Sequence, residues 1–231
     1  MYFLTTYLQT VLGLSAFDAG LRMLAIAVGM VIATKSSVGL VRRIGTKVAV
    51  AGGLVIVAGG LVLLAGCDVG SGDAQICLVL AMMGAGMGLA MSPATEAIMG
   101  SLPPERAGIG SAMNDVVREV SGTLGIAVLG SLLTSAYGGA MDSAVDGLPA
   151  DAAAAASDSV GAAHQVAAQI GSADLITAAN QAFVDAMSTT ASIAAGIAMA
   201  GALIAAAFLP ARARKARAAY GASPALETGV R

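Results

Sequence analysis

Tryptophan is absent from this chain, histidine occurs once (His164), and the only cysteines are Cys67 and Cys77. A tetrahedral metal site needs three or four His, Cys or carboxylate ligands at close spacing, so a lone histidine with no second ligand nearby reads as a solvated side chain. No metal and no cofactor are expected, and no nucleophile, base and orienting group cluster as an enzyme would need. Charge is scarce too: 11% of residues are Asp, Glu, Lys or Arg, against about a quarter in soluble domains. With 57% hydrophobic residues and a mean hydropathy of +0.83, the 231-residue chain has too little polar surface to cover itself in water. A lipid bilayer removes that requirement. Integral membrane protein is therefore the class, and no nucleic-acid partner is expected from so few cations.

What is present is apolar and long. Residues 48–67, 74–95 and 186–211 contain no charged side chain, and each run reaches or exceeds the roughly 20 residues a helix needs to cross the hydrocarbon. Residues 19–41, with Arg22 and Lys35, and residues 109–136, with Asp115, Arg118 and Glu119 near the start, read as two further spans. Residues 1–14 are apolar but short, without the basic start and small-residue cleavage site of a signal peptide, and read as the end of a truncated span. Six transmembrane helices are thus expected, five within residues 1–136 and the sixth over 186–210. Between them, residues 137–185 form an Ala-rich loop carrying one or two weakly amphipathic helices, with Val160, Ala163, Ala167 and Ile170, then Ile176, Ala179, Phe183 and Met187, at helical spacing. Residues 211–231 form a basic tail.

The cations are asymmetric although the net charge is only -2. Arg42, Arg43 and Lys47, then Arg106, then the cluster after residue 211 occupy alternate loops, whereas residues 120–209 hold six Asp and no Lys or Arg. Basic loops are retained in the cytoplasm during insertion, so these loops and the C-terminus are expected inside and residues 137–185 outside.

Glycines at 52, 53, 59 and 60 and in "GAGMG" at 84–88 lack the strand, spacing and acidic residue of a dinucleotide fingerprint. In lipid they read as smooth faces for close helix packing. Cys67 and Cys77 flank one outer loop and read as small buried side chains that could pair in an oxidising compartment. Among polar residues within spans, Lys35 can snorkel to the headgroups or face an aqueous cavity, and Arg118 can be neutralised by Asp115 one turn away. Pro93, followed by Glu96, marks a helix bend.

Two stretches resemble a known family. "YLQTVLGLSAFDAGL", an apolar span and then "GLVRRIGTK" resemble the opening of the C-terminal half of major facilitator transporters, the signature inner loop falling on Gly39, Arg42, Arg43, Gly45 and Lys47. "PPERAGIGSAMNDVVREVSGTLGIAVLGS", with Asn114 and Arg118, and a long outer loop entering a last span through "QAF" are similar to the fourteen-spanner drug:proton antiporters. The resemblance implies an all-α fold of two three-helix inverted repeats. It implies a C-terminal portion of a plasma-membrane secondary transporter that exports drugs or small amphiphiles against protons, with Gln9, Lys35, Asn114 and Arg118 as substrate-cavity candidates. It also implies an N-terminal partner half, carrying the principal proton-titrating acids, which this sequence does not contain; no catalytic acid is carried over. The alternative is a non-transporting remnant or a membrane interaction scaffold.

Overall fold

A computed structural model describes residues 2–99, 103 and 107–209. Among these residues every regular element is helical. The chain opens on a short helix, α1 (Tyr2–Thr6), that widens into a π-helical turn over Tyr7–Val11. Then follow α2 (Ala16–Ile44), α3 (Thr46–Ala65), α4 (Asp73–Met99), α5 (Ala107–Met141), α6 (Ala150–Asp158), α7 (Val160–Ile170) and α8 (Ala173–Phe208).

Helix starts follow local chemistry. The Ser15 hydroxyl accepts a hydrogen bond from the Asp18 backbone N–H at 3.1 Å and donates to the Asp18 carboxylate at 2.7 Å, closing the first turn of α2. Ser159 and Ser172 cap α7 and α8 in the same way, accepting from Ala162 and Leu175. Gly171, at φ 70°, ends α7 in the left-handed region and turns the chain straight into α8.

Five described helices, α2 to α5 and α8, are long and apolar enough to cross a bilayer, not six. The ten residues of α1 and its π turn rise only about 15 Å, half the hydrocarbon thickness. The last helix also departs from expectation. It begins at Ala173 rather than residue 186, so Ile176, Ala179, Phe183 and Met187 belong to one 36-residue helix continuous with the span. Asp174 and Asp185 precede the charge-free run without ending the helix, because both stand exposed on the face away from buried Ala179, Phe183 and Met187. The loop therefore contracts to residues 142–172, which carry α6 and α7.

Packing is centred on α4, which lies between α2 and α3; α3 packs on α8, and α5 chiefly on α8. Of the expected triplets α1–α2–α3 and α4–α5–α8, the last members, α3 and α8, pack on each other. Glycines set the closest approaches. A methyl group added to Gly84 would collide with the Ile26 carbonyl of α2, and one on Gly88 would lie 2.5 Å from the Met30 carbonyl. On the opposite face of α4, a methyl on Gly86 would meet the Gly53 carbonyl of α3 at 2.6 Å. Of the other α3 glycines, Gly60 would meet the Met83 side chain and Gly59 the tip of Met82, whereas Gly52 has open space.

Large apolar side chains face outward along the spans. Leu24, Ile32, Leu124, Ile126, Leu203 and Phe208 are all more than half exposed, an arrangement that lipid satisfies and water does not.

Candidate functional site

Two ends of the bundle differ in charge. The α2–α3 junction, the C-terminal end of α4 and the N-terminal end of α5 lie at one end, the basic end; the α3–α4 loop, α6 and α7 lie at the other. At that other end the Arg22 guanidinium of α2 donates to both carboxylate oxygens of Asp73 of α4, at 2.7 and 2.8 Å. Sequence reasoning missed this pair, although both residues stand near the same ends of adjacent spans. Nearby, the Tyr7 hydroxyl donates to the Asp68 carbonyl at 2.6 Å and anchors the π turn on the α3–α4 loop. Ser188 of α8 donates to the Ala65 carbonyl at 2.7 Å, and Tyr137 of α5 donates to the Ala156 carbonyl of α6 at 3.0 Å. His164 is half-buried, its Nε2 2.8 Å from Oδ1 of Asn180, which corrects the reading of it as a solvated side chain: α7 lies against α8 and brings the two together. Cys67 and Cys77 are both free; Cys67 is buried, which pushes its thiol pKa up, and its S–H donates to the Leu63 carbonyl.

The basic end opens a cleft of about 440 Å³ between α2, α4 and α5. Thr34 comes from α2; Ser92, Thr95 and Glu96 from α4; Arg118 from α5; Met30, Met91 and Gly88 complete the wall. Gly88, Ser92, Thr95 and Glu96 recur at i, i+4, i+7 and i+8, so α4 presents a small and polar stripe to the cleft. Pro93, fully buried inside α4, has no N–H to donate to the carbonyl of Leu89 at the root of this stripe. Arg118 and Glu96 line the same cleft from different helices, both exposed. Among the described residues the one ion pair is Arg22–Asp73, so Arg118 is not neutralised by Asp115 here. A cation, an anion and three hydroxyls on flexible methionine walls can receive a polar or amphiphilic molecule.

The four cavity candidates do not come together. Arg118 lines the cleft; Asn114 is half-buried one turn earlier on α5, Lys35 is exposed on α2 next to Thr34, and Gln9 is exposed on the π turn near the opposite end. Thr34, Ser92 and Thr95 escaped sequence reasoning, and Glu96 entered it only as part of a bend. The α4 stripe was the available signal.

The inner loop is hardly a loop. Gly45 alone separates α2 from α3, at φ 87°, its N–H donating to the Val41 carbonyl at 2.9 Å. A side chain at that φ would be strained. Arg43 is exposed, Lys47 half-exposed, and Gly39 lies exposed on the last turns of α2; the side chain of Arg42 falls outside the described residues, as do Arg106 and the basic tail.

Comparison with known proteins fits this architecture. The chain is 31% identical over 207 residues to the multidrug efflux pump LfrA of Mycolicibacterium smegmatis, an alignment covering 88% of this chain and 41% of that protein. It is 31% identical over 160 residues to the methyl viologen resistance protein SmvA of Salmonella typhimurium, covering 69% and 32%. It is 32% identical over 136 residues to the multidrug resistance protein Stp of Mycobacterium tuberculosis, covering 58% and 25%. The chain thus spans about two fifths of the length of the first of these relatives and less of the others. The Major Facilitator Superfamily profile matches residues 1–126. With apolar helices of spanning length and a family match over more than half of its residues, the chain belongs to the Major Facilitator Superfamily, a family of membrane transporters rather than enzymes.

Proposed function

We propose that this chain is the C-terminal portion of a proton-coupled secondary transporter of the plasma membrane that exports drugs or small amphiphilic molecules. The basic end faces the cytoplasm and the α5–α8 connection, residues 142–172, lies outside. The observation that carries the reading is the cleft at the basic end, where Glu96 and Arg118 meet three hydroxyls and two methionines inside an otherwise apolar bundle. Ionisable groups on spanning helices characteristically face a cavity or a pathway. The printed names of the relatives, multidrug efflux and resistance proteins, support the substrate class.

Transporters of this kind hold substrate between structural repeats near the midplane and alternate access by rocking one bundle against another. In this reading a second six-helix half faces the cleft, and Arg118 and Glu96 form its cytoplasmic entrance. The inner junction, Gly39 to Lys47, keeps α2 and α3 in register with that half, and Pro93 gives α4 its bend beside Glu96. Lys35 and Asn114 lie beside this entrance on α2 and α5, whereas Gln9, near the opposite end, is given no part in it.

The test fuses this chain to the N-terminal half of the efflux pump LfrA and measures export of a fluorescent cationic dye from cells lacking other pumps. Export that a protonophore abolishes, and that Arg118→Ala lowers at unchanged membrane abundance, is the expected result. A correctly inserted fusion without export turns the reading toward the interaction scaffold.

A further inference from the structure

A second cavity, of about 300 Å³, lies within the bundle itself, walled by α1, α2, α3, α4, α5 and α8. Of its thirteen lining residues one is polar, Thr190 of α8. Thr190 is 6% exposed, and among the described residues its Oγ1 is the buried side-chain oxygen that finds no hydrogen-bond partner. Such a group ordinarily signals a missing partner, because an unmet buried hydroxyl is destabilising.

The cavity's chemistry narrows that partner. Water is a poor one: a buried water needs two to four polar contacts, and this wall offers one. An ion is worse, since no opposite charge lines the space. The helix offers Thr190 an alternative, the carbonyl four residues back, which α-helical threonines often use. The side chain here does not take it. What remains is a neutral molecule whose body fills an apolar space and whose single polar group meets one hydroxyl. Met83, Met87 and Met187 supply three flexible, polarisable walls, which suits varied ring shapes better than branched side chains would.

We infer that this intra-bundle cavity binds a small neutral aromatic molecule bearing one hydrogen-bonding group, with Thr190 as the residue that selects for that group. This site is distinct from the polar cleft at the basic end, shares none of its lining residues, and does not depend on transport.

Two matched probes test it, 2-naphthol and naphthalene, titrated into the purified 231-residue chain in phosphatidylcholine nanodiscs, with the signal of empty discs subtracted. Saturable binding of both is expected, with 2-naphthol about fivefold tighter, the size of one net hydrogen bond. Thr190→Val, which keeps the shape and removes the hydroxyl, is expected to erase that difference without lowering the melting temperature. Thr190→Ser is expected to keep it. Met83→Trp, which fills the space, is expected to abolish both; the new residue would be the sole tryptophan, so its blue-shifted emission reports that the variant is folded. Equal affinities for the two probes, a preference that survives Thr190→Val, or no saturable binding would overturn the proposal. A clear fall in melting temperature for Thr190→Val would overturn it too, by showing that the hydroxyl already has a partner in the fold.

Discussion

Gly84 and Gly122 are both glycines inside apolar helices, yet they do opposite things. Gly84 touches backbone: a methyl there collides with the Ile26 carbonyl, which cannot rotate away. Gly122 has nothing within 4 Å. Gly84→Ala is therefore expected to destabilise the bundle by about 1–3 kcal/mol or more, seen as a lower melting temperature in detergent and loss of a monodisperse elution peak. Gly122→Ala is expected to be neutral or to gain about 0.5–1 kcal/mol, as helical glycine to alanine changes do where space permits. Equal effects would mean that the α2–α4 contact is looser than described. Sequence pattern already marked Gly84 and Gly88 as a packing face. It could not separate Gly53, at the α3–α4 crossing, from Gly52 beside it, because a single residue turns the helix by 100° and only the partner's position says which face counts.

At the level of elements, the spans were legible because lipid imposes long charge-free runs, and α3 and α4 match theirs closely. The start of α8 was not legible in the same way. Asp174 and Asp185 read as loop residues by charge, although Ile176, Ala179, Phe183 and Met187 carried the helical period straight through them. Cross-helix partners were illegible for a different reason: Arg22 and Asp73, or Thr34 and Glu96, become neighbours only once α2 is laid on α4. The α6–α7 segment is held to the bundle by few polar contacts, of which the Tyr137 hydroxyl to the Ala156 carbonyl is buried. Tyr137→Phe is expected to cost about 1–2 kcal/mol locally and to speed amide exchange in α6 and α7 while leaving α3 and α4 unchanged. Uniform acceleration across all helices would assign Tyr137 to the core instead. At the α2–α3 junction Arg43 is exposed and, among the described residues, forms no ion pair, so Arg43→Ala in the fused transporter is expected to lower export more than abundance. Parallel losses would reduce the junction to an insertion signal.

For the whole molecule, orientation follows from its two unlike ends. In a Cys67→Ser, Cys77→Ser background, cysteines at exposed Ser143 and Ala154 are expected to react with a membrane-impermeant maleimide in intact cells, and one at Pro103 only after permeabilisation. The reverse pattern would invert the topology. Expressed by itself, the 231-residue chain is expected to insert without transporting, since one bundle supplies one wall of a path that rocking between two bundles must open and close. Reconstituted in proteoliposomes with an imposed pH gradient, it should move no more cationic dye than empty liposomes; gradient-driven movement above that baseline would refute this.

The single glycine between α2 and α3 has a mechanical consequence. A linker of one residue has no slack, and α4 is wedged between the two helices it joins, backbone against backbone at Gly84, Gly88 and Gly86. Such a triplet behaves as a stiff plate: a tilt imposed on α2 near Arg43 is delivered to α3 and α4 together instead of being absorbed at the hinge. The lighter packing lies with α5, which touches α4 little and leans chiefly on α8, so Arg118 stands on the least braced wall of the cleft, facing Thr34 and Glu96 on the plate.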